Sequence, residues 1–222
     1  NFRSDRSKQL SEKLSKMSGL HLVTLTEYDK DLKAEIAFPK AEVKETLGEV
    51  LANYQVKQLR ITESEKAAHV TTFFNCGHFE PFSGEDVKII RSHRADPAKR
   101  PEMRADKIAR SVASAIHHKK YDFILVNLAN VDMVSHTGNM IAAGHAIQAV
   151  DKAVAIMVEE NLKTGGATII TADHGNIEKM VKLKKEQDPE AKHTLNPVPF
   201  ILITPDHKKN LFHGAISSYG SV

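Results

Sequence analysis

The order of its apolar runs constrains this chain more than any other feature. From about Pro39 onward, short β-rich runs alternate with stretches whose apolar residues recur at helical spacing. Parallel strands cannot be joined by a tight hairpin and need a crossover that usually holds a helix, so this alternation builds a parallel sheet covered by helices. Strands are expected over residues 55–61, 70–75, 87–90, 121–127, 167–171 and 198–204. Helices are expected over 43–52, 63–68, 104–118, 140–162 and 176–185. Residues 75–101, with their Pro, Gly and Asp content, read as an excursion of loop and short strands. The predicted fold class is α/β, a mostly parallel sheet with helices on both faces.

Ahead of this pattern, Leu10, Leu14 and Met17 share one face of a helix of about 13 residues that Ser18-Gly19 closes. Residues 21–26 read as a strand, and a charged, poorly patterned stretch follows through Pro39. The main boundary is placed there, with residues 1–38 as a separate piece and 39–222 as the principal domain. At 222 residues the chain exceeds one ordinary domain and falls short of two.

The 31 Lys and Arg nearly balance 28 Asp and Glu, leaving a net charge of +3, and no basic stripe interleaved with aromatics appears. Nucleic acid is therefore not an expected partner. Neither is a membrane, since no stretch approaches the roughly 20 apolar residues that a span requires. A lone cysteine, Cys76, excludes an internal disulfide and agrees with a reducing, cytoplasmic setting.

Three polar clusters stand beside strongly apolar runs: Asp132-Met-Val-Ser-His136, Asp173-His174-Gly175 and His193-Thr194. Carboxylate oxygens and neutral imidazole nitrogens suit Mn-, Zn- or Fe-type divalent ions, and five such groups exceed what one tetrahedral ion needs. Asp132 and His136 are four apart and share a face if that stretch is helical, although the helix there is expected to start only near Ser135. Otherwise they are a helix cap and a surface histidine. Asp173 and His174 follow a buried strand, where Gly175 lets the backbone pass close by; the alternative is that Asp173 caps the helix starting at Asn176. His193 precedes the strand 198–204, which must run antiparallel, the preferred reading, or have its leading loop fold back over the same sheet edge. Taken together, the three clusters favour a metal site at the carboxyl ends of the strands, where loops are free to carry chemistry.

Two features suit an anionic substrate. Arg3 and Arg6 lie three apart as the first helix begins, offering two guanidinium forks. Lys66 offers an ammonium for a phosphoryl oxygen, or else it pairs ordinarily with Glu63 or with solvent on the Thr62 side.

Taken in order, Asn1-Phe-Arg-Ser-Asp-Arg6, Arg60-Ile-Thr-Glu-Ser-Glu-Lys66-Ala-Ala-His69-Val70, Phe73-Phe74-Asn75, Asp132-Met-Val-Ser-His136-Thr-Gly138, Thr171-Ala-Asp-His-Gly-Asn176 and His193-Thr-Leu-Asn-Pro-Val-Pro199 resemble the cofactor-independent phosphoglycerate mutases of the alkaline phosphatase superfamily. The resemblance implies an alkaline-phosphatase-like fold and interconversion of 3-phosphoglycerate and 2-phosphoglycerate through a phosphoserine enzyme. It implies two divalent metal ions, manganese foremost, with Mg, Co or Zn as substitutes. Asp132, His136 and His193 would bind one ion, while Asp173 and His174 would supply part of the other site. Arg3, Arg6 and Lys66 would contact substrate. Residues 1–38 would be the end of a phosphotransferase domain, and 39–222 a phosphatase domain incomplete at both ends. The nucleophilic serine is expected upstream of this chain, so no residue here is assigned to it and the isolated chain is expected to be inactive. Ser135 stands where the family commonly has glycine and is no substitute. The full-length protein is expected to be a cytoplasmic monomer. A metal-dependent phosphatase or phosphopentomutase of the same superfamily, or a non-catalytic metal-binding protein, is the alternative.

Overall fold

The computed structural model describes residues 4–29, 31–39, 43–180, 193–206 and 213–217, with backbone only at 4–6 and 213–217. The chain divides into two compact units, and the break falls between Lys44 and Glu45, a few residues beyond Pro39. In the first unit, helix α1 (Ser4–Leu14) precedes strand β1 (Val23–Thr24), which pairs in parallel with β2 (Glu35–Ile36). Helix α1 covers the expected segment but stops one turn early, at Leu14, and turns carry the chain onward.

The second unit contains α2 (Leu47–Asn53), β3 (Gln58–Glu63), α3 (Ala67–Val70), β4 (Glu85–Ile90), α4 (Ala105–His117), β5 (Phe123–Val126), α5 (Asn130–Ser135), α6 (Met140–Lys163), β6 (Thr168–Ile170), β7 (Pro197–Ile203) and β8 (His213–Ser217). Strands β4, β3 and β5 form a parallel sheet with β3 in the middle, and all six residues of β3 are buried. The α/β class stands, with helices on both faces of this sheet. Leu59 and Ile61 pack on one face with Ile108 and Val112 of α4 and Ile90 of β4. On the other face Gln58 donates to the Gly48 carbonyl of α2 at 3.0 Å. A Cβ at Gly48 would come within 2.7 Å of Asn75 Oδ1, so a side chain there would force this layer apart. Strands β6, β7 and β8 form a second, antiparallel sheet, which gives β7 the antiparallel direction preferred for residues 198–204.

The strand expected at residues 70–75 is absent. Helix α3 ends at Val70 and tight turns run through Gly77. Both sides of β3 are already occupied by β4 and β5, so this apolar run has no strand to pair with and serves as cover instead. Val70 is buried, and the Phe74 ring lies 4.6 Å from the Arg60 guanidinium carbon. The helix expected over 176–185 is present only as a short 3-10 turn, Ile177–Lys179, and residues 181–185 lie outside the described residues. Against the expectation that no membrane-length apolar stretch exists, α6 is long and apolar enough by length and composition to cross one. Its buried Ala142, Ala143, Ala146 and Ala153 nonetheless pack against protein. Ala153 meets Ala105 and Ala109 of α4, and the other three meet Val134 of α5. Such small side chains let helices approach closely.

Candidate metal centre

Each donor is placed by the element before it. In the strand order β4-β3-β5, β3 and β5 are parallel neighbours that are not consecutive in the chain, and the segments leaving them flank a crevice at the carboxyl ends where α/β proteins bind ligands. Lys66 closes a 3-10 turn directly after β3, and Asp132 lies in the first turn of α5, just after β5. Across that crevice Lys66 Nζ donates to Asp132 Oδ2 at 2.5 Å. Lys66 is thus paired neither with Glu63 nor with solvent. Helix α5 starts at Asn130, not near Ser135, because Asn130 Nδ2 donates to the carbonyls of Pro101 and Glu102 and pins the helix start. That extra turn places Asp132 and His136 on one helical face. Ser135 is buried in α5 and donates its hydroxyl to the Val131 carbonyl at 2.6 Å.

The third element is a loop pair. Because β7 runs antiparallel to β6, the residues leading into β7 pass beside those leaving β6. Gly175 and Thr194 form an antiparallel bridge, with Thr194 N donating to Gly175 O at 2.8 Å. A Cβ on Gly175 would collide with Thr194 Oγ1 and the Glu178 carboxylate, so glycine permits the approach. Glu178 fastens the loops further, accepting from Asn176 N, Thr194 Oγ1 and Asn196 Nδ2. Consequently His174 and His193 stack with ring centroids 3.5 Å apart.

Donor atoms of Asp132, His136 and His193 lie within 4.8 Å of one another. Asp132 Oδ1 stands 3.2 Å from His136 Nε2 and 3.4 Å from His193 Nε2. Ligand atoms bound tetrahedrally at about 2.1 Å would be separated by roughly 3.4 Å, so the spacing and chemistry fit one divalent ion. Asp173 and His174 lie alongside. His174 Nε2 is buried without a hydrogen-bond partner, and the nearest carboxylate oxygen, Asp173 Oδ2, is 3.7 Å away. A buried imidazole nitrogen without a hydrogen-bond partner, facing a carboxylate, fits a cation ligand. All five metal donors read from the sequence therefore gather at one place. Arg3 lies outside the described residues, as does the side chain of Arg6.

Burial alone would raise the Asp132 pKa, and this is the largest single influence. The hydrogen bond and charge of Lys66, the amide of Asn176 and the nearby His136 outweigh it and hold the carboxyl at about 2. His193 is pushed down, first by burial and then by His174, so it favours the neutral form a metal ligand needs. Three contributors were missed in the sequence. Asn176 Nδ2 donates to Asp132 Oδ1 at 2.8 Å, and His69, one turn beyond Lys66, brings Nε2 to 4.0 Å from Asp173 Oδ2. Glu178 is the third. His69 and Asn176 stand inside the quoted motifs but were given no role, since an asparagine after glycine reads as a turn; Glu178 lies two residues beyond, and a glutamate beside lysines reads as solvated.

Residues 7–221 match the family model described as the metalloenzyme superfamily. The chain is 44% identical over 216 residues to the 2,3-bisphosphoglycerate-independent phosphoglycerate mutase of Gracilaria tenuistipitata var. liui, covering 92% of this chain and 42% of that protein. Its identity to the same-named protein of Shewanella putrefaciens (strain CN-32) is 45% over 217 residues, covering 93% and 42%. A crystal structure of Leishmania mexicana phosphoglycerate mutase at low cobalt concentration superposes with a TM-score of 0.75 at 27% identity, covering 82% of this chain and 36% of that one. The chain thus spans about 42% of the length of the curated relatives it matches. With its donors gathered at the strand ends and its sequence matched almost throughout, this chain belongs to the metalloenzyme superfamily and is similar to the cofactor-independent phosphoglycerate mutases.

Proposed function

We propose that this chain forms the metal-binding part of a cofactor-independent phosphoglycerate mutase, which interconverts 3-phosphoglycerate and 2-phosphoglycerate. The observation that carries the reading is the convergence of Asp132, His136 and His193 with Lys66 at the β3–β5 crevice, in a chain similar to mutases over more than nine-tenths of its length. In this reading Asp132, His136 and His193 hold one divalent ion, and Asp173 and His174 contribute to a second, with manganese as the physiological metal. When bound, such ions neutralise charge on a transferring phosphoryl group and make a hydroxyl a better nucleophile.

The chain's own residues prepare that site. Lys66 is nearly buried, and Asp132 holds its ammonium at the crevice mouth, where it orients a phosphoryl oxygen. Asn176 fixes the rotation of the Asp132 carboxylate, leaving Oδ1 toward the two imidazoles. The stacked His174 and His193 rings brace each other. Arg3 and Arg6, at the start of the first unit, are assigned to substrate binding, and that unit to the end of a phosphotransferase domain. Full-length protein would be a cytoplasmic monomer, with α6 packed along one face against α4 and α5.

The test is turnover by the full-length protein loaded with manganese. Interconversion of the two phosphoglycerates, with generic phosphate esters hydrolysed far more slowly, is the expected result. Efficient ester hydrolysis without phosphoglycerate isomerisation would move the protein to the phosphatases of the superfamily.

A further inference from the structure

A second crevice opens at the same sheet edge, on the β4 side of β3. It is a cavity of about 460 Å³, within the range of about 300–1,000 Å³ typical of small-ligand sites. Arg91, Arg94 and Arg100 line it with His93, and Ser64-Glu65, Pro97, Met103 and Met133 complete the wall. The placement follows from topology, since Ser64-Glu65 leave β3 and Arg91 to Arg94 leave β4 at their carboxyl ends.

The charges here are unbalanced. Among the described residues, none of the three arginines has a carboxylate within ion-pair distance. The one lining carboxylate, Glu65, already accepts a hydrogen bond from the Ser92 hydroxyl. Arg100 Nη1 stands 3.4 Å from His93 Nδ1, and as guanidinium only donates, Nδ1 is the acceptor and the ring proton sits on Nε2. The His93 pKa is pushed down, first by desolvation and then by Arg104 and Arg100, as expected in a positive field. Surface arginines commonly find acidic neighbours; three that do not, facing one concavity, present forks matched to carboxylate or phosphate oxygens, with only one Arg100 nitrogen engaged, by His93.

We propose that this pocket binds a small organic anion carrying two or more phosphate or carboxylate groups. The methionine walls accommodate its short carbon skeleton while the arginines take its charged ends. Met133 follows Asp132 and Glu65 precedes Lys66, so the pocket lies beside the segments that carry the Lys66–Asp132 contact without using that contact. This site does not depend on the mutase reading, and either can fail without the other.

The test is calorimetric titration of the full-length protein, stripped of metal, at low ionic strength, with inorganic phosphate and with citrate as probes. Citrate is expected to bind more tightly than phosphate. Both should weaken by about tenfold in Arg91→Gln and by more in Arg94→Gln/Arg100→Gln, while Lys66→Ala binds as the parent does. All three arginines are exposed, and circular dichroism confirms that each variant is folded. Unchanged binding in the folded arginine variants would overturn the proposal, as would loss of binding in Lys66→Ala alone or no binding of either probe up to about 10 mM. Citrate binding no tighter than phosphate would overturn the assigned ligand class.

Discussion

The Asp132 cluster and the Asp173 pair adjoin through the His174–His193 stack, yet they are built differently. The first takes donors from two segments far apart in the chain, α5 with its cap and the loop before β7, and its carboxylate is mostly buried with both oxygens partnered, Oδ2 by Lys66 and Oδ1 by Asn176. The second takes two adjacent residues of one loop. Asp173 is half exposed, and among the described residues only imidazole nitrogens approach it, at 3.7 and 4.0 Å. A carboxylate with fixed partners is already oriented for a cation, whereas one without them must lose rotational freedom when the cation arrives. The two carboxylates should therefore contribute unequally to metal uptake.

The largest expected effect tests that inequality directly. Loss of a group that merely orients a ligand costs about 10- to 100-fold in metal affinity, so loss of the ligand itself should cost at least the upper end. Asp132→Asn should weaken manganese binding by the tightest site of the full-length protein by about a hundredfold or more, while Asp173→Asn leaves that site within roughly tenfold of the parent. Competition titration with a metal-sensitive dye measures both. Equal losses in the two variants would abolish the distinction drawn between the clusters.

A smaller effect sharpens it. Asn176→Ala removes one of the two hydrogen bonds that orient Asp132 and should weaken the same site by about tenfold. The corresponding orienting group for Asp173 is at best His69, whose contact exceeds hydrogen-bond length. His69→Ala should therefore leave the tightest site unchanged. If His69→Ala weakened it as much as Asn176→Ala, the second cluster would be the better organised of the two.

How far the sequence revealed this arrangement depended on which forces were local. That Asp132, His136, Asp173, His174 and His193 would gather was legible because strong ligand types recur just past or just before apolar strand runs, and such runs end at one edge of a sheet. The antiparallel direction of β7 was the preferred of two ways for His193 to return to the same edge, the other being a leading loop that folds back. The Phe73-Phe74 run misled, since β-propensity describes a pleated, half-buried surface and not whether a neighbouring strand is free. The early start of α5 was hidden for a similar reason. Asn130 reaches the carbonyls of Pro101 and Glu102, some thirty residues earlier, and no local pattern reports such a partner. The Lys66–Asp132 contact joins residues 66 apart and became visible only with the strand order.

Glu63, at the end of β3, extends the comparison to a third carboxylate at this edge and supplies the smallest effect. Like Asp132 it is buried, but among the described residues no cationic side chain forms an ion pair with it, and the Arg104 charge acts on it only weakly from farther off. Its Oε1 accepts from the Arg104 backbone N–H at 2.8 Å, while Oε2 has no hydrogen-bond partner. Burial is the dominant influence and raises its pKa above 4.5, against the opposing Arg104 hydrogen bond. The folded protein therefore holds this proton more tightly than the unfolded chain does. Below 4.5 the stabilising contribution is fully present, and it is lost as pH rises from there through the elevated folded value. Asp132, held low by its lysine, has the opposite sign. Glu63→Gln keeps the shape and removes the titration, so its stability relative to the parent should rise with pH across that window. Urea unfolding from about pH 4 to about pH 7 reads the gap. A gap that stays constant, or that narrows as pH rises, would mean that Glu63 is compensated as well as Asp132 is, and that the lysine is not what separates them.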